Sequence, residues 1–309
     1  MAKPIMPKVR SAPPRRSGML DPVSQLASVT TSPGPPCWII AEDQLDPDRL
    51  RSAETLFTIG NGRLSTRGSF EEGYPGNTPA TLIHGLFDAH PLVTTELANA
   101  PDWTNIELKL AGERFSLTSG RVIEYRRTLD LRTGLLARRI LWLSPAGRRA
   151  ELCFERFASI AARDVLCQRL TVRPLDWTGP VEARSSFDAT VDTGGFRHWR
   201  ALDQDASDAG ECGLLVETTS RAYRLALAAR LRSFGAAADF SGLDLHGRPV
   251  VVARWHAEEG AMSGLEKTVT FATSRETPDP RAAARLRLAA VAASDFGSLF
   301  AAHALAWKR

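Results

Sequence analysis

Between positions 55 and 272, apolar and polar residues alternate in short runs that turn residues interrupt every 8–12 positions. Alternation with a period of two marks strands that bury one face. The clearest runs are Ile106–Leu110, Arg114–Leu117, Leu135–Leu143, Glu151–Phe157, Val165–Val172, Val181–Phe187, Leu214–Thr218, Tyr223–Leu231, Val250–Trp255 and Thr268–Ala272. Ala111-Gly112 separates two alternating stretches and predicts a hairpin. Ser144-Pro145-Ala146-Gly147 predicts a second turn. Ten or more strands exceed one small sandwich, and two large sheets packed face to face would hold them. No repeat with a 20–50-residue period is present, which disfavours a propeller.

The pattern changes at Thr277-Pro278-Asp279-Pro280. Residues 281–309 are rich in Ala, Leu and Arg, with no proline and one glycine, and read as helix. Ser294 or Asp295 can cap a second helix, on which Phe296, Leu299, Phe300, His303 and Trp307 fall at i, i+3, i+4 spacing. That helix has no stop signal. Its apolar face runs to the end of the chain with no evident partner, so it is expected to drive self-association. At the other end, residues 1–36 hold eight of the 19 prolines and read as a disordered, basic leader. The organisation expected is therefore a leader (1–36), a mainly β domain (37–276) and a helical linker (277–309).

Charge alters this picture little. The 309 residues carry a formal +4. Lys3, Lys8, Arg10, Arg15 and Arg16 against Asp21 supply all of it within the leader, so the rest is electroneutral. All but five of the basic residues are Arg, scattered among acids rather than striped as a nucleic-acid surface requires. A nucleic-acid partner is not expected. No run of 18 apolar residues occurs, so no membrane span is expected either. Cys37, Cys153, Cys167 and Cys212 are widely spaced, with no CxxC and no metal-ligand spacing. With no apolar signal region at the N-terminus, a cytoplasmic location is expected. No cofactor or metal is called for.

Candidate chemistry is sparse. Glu71-Glu72 and Glu258-Glu259 are sequence neighbours, and neighbours on a strand point to opposite faces. They read as solvated turn charges rather than acid–base pairs. Carboxylates within strands, as in Glu151–Arg156, read as cross-strand ion pairs on a polar face. His84 and His90 flank a turn-rich stretch, and no two histidines suggest a ligand pair. His198-Trp199 follows Asp192-Thr193-Gly194-Gly195 and combines an aromatic ring with a hydrogen-bonding group, a way in which sugars are gripped. His198, Trp199 and Trp103 are the candidate sugar-rim or interface contacts; no catalytic residue is assigned. Gly60-Asn61-Gly62 lacks the strand–GxGxxG–helix context of a phosphate loop and reads as a turn between strands.

That turn belongs to an ordered series of motifs. Glu54–Gly62, Arg67-Gly68-Ser69-Phe70-Glu71-Glu72, Leu97–Trp103, Leu129–Gly134 and Phe154–Ser159 together resemble glycoside hydrolase family 65. This is the family of maltose, trehalose and kojibiose phosphorylases and related trehalose hydrolases. The resemblance covers about residues 38–309, and Ser65 stands where the family usually has a glycine. It implies a large antiparallel β-super-sandwich, galactose-mutarotase-like, followed by linker helices and then an (α/α)₆ catalytic barrel. The barrel carries the family's general acid and phosphate site, and this sequence has no counterpart of it. The expectation is thus a non-catalytic N-terminal domain, partnered by an (α/α)₆ domain in cis or as a separate chain. Homodimer contacts of the kind family sandwiches make are expected, and an α-linked glucose disaccharide is expected to bind weakly if at all. The rivals are a stand-alone carbohydrate-binding module and a mutarotase-like epimerase, the latter without a nameable acid–base pair.

Overall fold

The computed structural model describes residues 38–92 and 94–308. The leader and Cys37 lie outside the described residues. Eighteen strands and three α-helices, numbered in chain order, form three sheets among the described residues. The largest sheet has nine strands in the order β1 (Ile39–Glu42), β8 (Arg121–Asp130), β9 (Leu135–Leu143), β10 (Arg149–Ala158), β11 (Val165–Pro174), β18 (Ser263–Thr273), β15 (Arg224–Phe234), β14 (Glu211–Thr218) and β13 (Trp199–Ala206). A five-stranded sheet faces it, in the order β16 (Asp239–Leu245), β17 (Arg248–Ala257), β12 (Gly179–Ser186), β6 (Ile106–Leu110) and β7 (Glu113–Arg114). A four-stranded sheet, β2 (Ile59–Gly60), β3 (Leu64–Thr66), β4 (Thr81–Asp88) and β5 (Glu96–Asn99), closes one end. The strand pairs are antiparallel.

Alternation fixes which side chains enter the core. On β9, Leu136, Arg138, Ile140 and Trp142 are buried while the residues between them are not. Ile140 and Leu152 pair across β9 and β10 and share one core with Leu108, Val181, Val251 and Trp255 of the facing sheet. Each such side chain contributes about 1.5–3 kcal/mol through removal of apolar surface from water. The Ala111-Gly112 hairpin forms as expected, with both residues at positive φ (47° and 86°).

Several strands escape the alternation, among them β4, β8, β13 and β16. β13 and β16 are edge strands with polar residues on both faces. β8 carries charges on its inward side as well as its outward side. β4 takes in His84, so the stretch that reads as turn-rich is largely strand. Gly85, at φ +84°, marks its irregularity, between Leu82 and Phe87 in the pairing. Arg114–Leu117, conversely, is strand only at its first residue, with Ser116 making an isolated bridge to Ser119.

Two helices lie on the outer face of the nine-stranded sheet. In α2 (Pro280–Ala290), Ala284 and Leu288 pack on Ala226, Ala228 and Ala272. In α3 (Phe296–Trp307), Asp295 caps the start with a capping box. The apolar face of α3 does find a partner, contrary to the expectation of an unpaired surface. Phe296 and Phe300 pack on Phe157, and His303 stacks on the same ring at 4.8 Å. His303 Nδ1 accepts from Ile160 N at 3.1 Å, while its Nε2 lies 2.6 Å from Thr133 O. Trp307 Nε1 donates to Leu131 O, and its ring covers Gly134, where a Cβ would come within 3.0 Å. The partner is the outward side of β10 and β11, where Phe157, Val165 and Cys167 take apolar side chains into the same phase as the outward Glu155 and Arg169.

Candidate functional site

The segment carrying the motif series sits against an unusual feature of the core. A row of polar side chains crosses the inner face of the nine-stranded sheet: Arg127 on β8, Arg138 on β9, Arg156 on β10, Gln168 on β11 and Lys267 on β18. Each is at most 2% exposed. Register makes the row, because Arg127 pairs with Arg138, Arg156 with Gln168, and Gln168 with Lys267. Each holds an inward position among apolar neighbours, as Lys267 does between Leu265 and Val269.

A buried cation is tolerated only when paired and hydrogen-bonded, and the loop from Arg67 to Glu72 supplies the partners. Arg138 donates Nη1 to Glu72 Oε1 at 2.8 Å and Nη2 to Glu71 Oε2 at 2.7 Å. Arg156 donates Nη1 to Glu71 Oε1 at 2.9 Å, and Nη2 to the carbonyls of Arg67 and Ser69. Arg127 reaches Gly68 O and Glu42. Gly68 is required here, because a Cβ would lie 2.6 Å from Phe57 Cβ. Arg138 and Arg127 also stack on the Phe70 ring at 4.2 and 5.0 Å. Burial alone would lower the Arg138 pKa, but Glu72 and Glu71 more than offset it and raise it.

Glu71 and Glu72 are therefore 4% and 7% exposed, which corrects the reading of solvated turn charges. The strand rule that separates adjacent side chains does not hold for them. β3 ends at Thr66, and both glutamates lie in the following loop, where both reach Arg138. Their oxygens are occupied by guanidinium groups, so neither offers a free oxygen to a substrate. Glu258 and Glu259 are exposed, as expected. The ion pairs expected on the outer face are present at Glu155–Arg169 and Glu151–Arg173, but Arg156 turns inward.

Lys267 closes the row. Its Nζ donates to the carbonyls of Trp103 and Ser186, and burial pushes its pKa down to about 8. Gln168 Nε2 donates to Thr104 O at 3.0 Å, while its Oε1 has no hydrogen-bond partner among the described residues. The row thus ties two loops, 67–72 and 103–105, to the sheet beneath them.

Trp103 is fully buried, with its Nε1 donating to Thr66 Oγ1 at 3.1 Å. Trp199, at 7% exposure, donates Nε1 to Asn99 O. His198 is 1% exposed, with Asp88 Oδ2 3.2 Å from Nδ1 and Glu96 Oε1 2.8 Å from Nε2. Asp88 also accepts from Thr219 Oγ1 and from the backbone of Ser220 and Arg221. His198 and Trp199 come together at the start of β13 and fasten it to β4 and β5; Trp103 stands apart, above the polar row. None of the three presents a ring to solvent.

Asn61 is a further buried polar residue of the motif series. It accepts from Arg63 N and Leu64 N, confirming the expected turn, and donates to Ser159 O and Arg163 O. Gly62 takes φ +81° in this turn. Among the described residues, no group of three or more His, Cys, Asp or Glu side chains could hold a metal ion. Cys153, Cys167 and Cys212 are free thiols, the last pushed up to about 12 by burial. No described helix is long and apolar enough to cross a membrane. A groove of about 730 Å³ on the outer face of β8–β11 brings four arginines against four carboxylates.

Comparison with known proteins agrees with this architecture. The family model for the N-terminal domain of glycosyl hydrolase family 65 matches residues 40–309. Kojibiose phosphorylase of Halothermothrix orenii is 30% identical over 243 residues, covering 77% of this chain and 31% of that protein. Alpha,alpha-trehalose phosphorylase of Thermoanaerobacter brockii is 29% identical over 267 residues, covering 77% and 34%. The chain thus spans about a third of the length of these curated relatives. Among solved structures, a putative kojibiose phosphorylase from human microbiome superposes with a TM-score of 0.76 over 87% of this chain and 37% of that one, at 18% identity.

Proposed function

Because the chain belongs to glycosyl hydrolase family 65 through its N-terminal domain, we propose that it is the non-catalytic sandwich of an α-glucoside phosphorylase of the kojibiose or trehalose type. Its role is to carry an (α/α)₆ catalytic domain, in cis or as a separate chain, and to shape the rim of that domain's active site. One observation carries the non-catalytic part. The adjacent carboxylates of the motif series, Glu71 and Glu72, are sealed by Arg138 and Arg156. Inverting cleavage of a glycosidic bond needs a carboxylic acid for the leaving oxygen and an activated nucleophile on the opposite side of the sugar. A glutamate whose oxygens accept from buried guanidinium groups supplies neither.

The scaffold role rests on α2 and α3. Both helices pack on the sheet, so whatever follows Trp307 starts from a fixed position rather than a free tether. A reducing cytoplasm suits the three free thiols. The test is an assay of the purified chain for release of glucose from kojibiose, trehalose and maltose, with and without phosphate. No turnover is expected, and clear phosphate-dependent or hydrolytic turnover overturns the non-catalytic reading.

A further inference from the structure

One end of the sandwich, where β18 hands over to α2, holds a cleft of about 340 Å³ lined by Gly62, Arg63, His84, Arg163, Arg275 and Glu276, together with Thr273. Its walls come from the β2–β3 turn, β4, the β10–β11 loop and the linker start. None of the polar row inside the sandwich takes part.

Charge in the cleft is unbalanced. Arg63 and the neighbouring Arg287 are both held by Asp164 and Glu276, a closed set of two cations and two anions. Glu276, the acid of the lining, is spent there: Oε1 accepts from Thr273 Oγ1 and Arg63, and Oε2 from Arg287 at 3.0 Å. Burial alone would raise its pKa; hydrogen bonds from Arg63, Thr273 and Arg287 outweigh that and hold it at about 2. Arg163 and Arg275 are left over, exposed and without an ion pair among the described residues. Arg275 is nevertheless placed, since its guanidinium lies 5.5 Å over the Tyr223 ring. It also lies against Gly85, where a Cβ would come within 3.1 Å of Nε.

We propose that this cleft binds a dianionic phosphoryl group, either free phosphate or the phosphate of a small hydroxylated ester. Two unmatched guanidinium groups balance a dianion. Their planar forks match phosphate oxygens in bidentate geometry. The volume exceeds what a bare phosphate fills and falls within the range of small-ligand sites. His84, exposed at the same wall, adds a ring nitrogen. The site lies on the non-catalytic domain and stands whether or not the reading of Glu71 and Glu72 does.

Isothermal titration calorimetry of the whole chain at low salt tests it, with inorganic phosphate, glucose 6-phosphate and glucose as probes. Saturable binding of one or both anions is expected, and none of glucose. Arg163→Gln and Arg275→Gln should each weaken it about tenfold or more. Arg173→Gln, on the outer face of β11, should leave it unchanged. Tighter binding of glucose 6-phosphate assigns the site to a phosphate ester; equal or tighter binding of phosphate assigns it to the free ion. No saturation by either anion up to about 10 mM, wild-type affinity in both cleft variants, or an equal loss in Arg173→Gln overturns the proposal. The cleft variants alter exposed side chains, so unchanged thermal unfolding separates lost binding from lost fold.

Discussion

Inside the sandwich, Arg127, Arg138 and Arg156 end on carboxylates and carbonyls that seal them from water. At the junction with α2, Arg163 and Arg275 meet no carboxylate among the described residues, and Arg275 lies over an aromatic ring. The residue type is the same, and the difference is stoichiometry. A matched, buried arginine joins a loop to a sheet and is spent. An unmatched, exposed one keeps its charge and its donors for something else. The motif series that identifies the family falls largely on the first kind of site, so the family signature of this domain is chiefly a folding device.

The strongest test of that contrast is Arg138→Ala. It leaves Glu72 and part of Glu71 buried without a counter-charge, and chemical denaturation should show a loss of about 3–5 kcal/mol. A loss under about 1 kcal/mol would mean that the row is not structural.

Lys267 gives a pH-resolved version. Its folded pKa of about 8 lies below its ordinary 10.5, so the unfolded chain binds more protons between those values. Its contribution to stability therefore rises as pH increases through that window and is lost as pH falls through about 8. The stability of wild type relative to Lys267→Met should rise by on the order of 3 kcal/mol from pH 7 to 10.5. A flat difference across that range removes Lys267 as a titrating member of the row.

A smaller effect belongs to the linker. His303→Ala leaves Ile160 N without its acceptor and removes the contact to Thr133 O. A cost of about 1–3 kcal/mol is expected, together with faster amide exchange along α3. Unchanged exchange would show that the helix is held by Phe296 and Phe300 alone. Smallest of all, Arg163→Gln should alter stability by no more than about 0.5 kcal/mol. A larger loss would move Arg163 from the unmatched group to the matched one.

Much of the fold is legible in the chain. Alternation places Leu136, Ile140 and Trp142 inward without reference to any partner, because a strand's period is set by its own backbone. Pro280 and Asp295 likewise locate helix starts locally. Edge strands β13 and β16 are poorly legible, since exposure on both sides removes the contrast on which the reading depends. The polar row does leave a trace: Arg138, Arg156 and Lys267 interrupt apolar parity at inward positions. That phase error marks them as buried cations in need of partners, but it does not name the partners.

Sequence alone determines the strand periods, the turn at Asn61-Gly62, the two terminal helices and the family, because these follow from local backbone preference and from motif order. Tertiary structure decides what each charge does. Whether Glu71 meets water or Arg156, whether α3 lies bare or on Phe157, and whether Arg275 is matched all depend on contacts between residues distant in the chain. A carboxylate or guanidinium has no intrinsic role until its surroundings either complete its hydrogen bonds or leave them open.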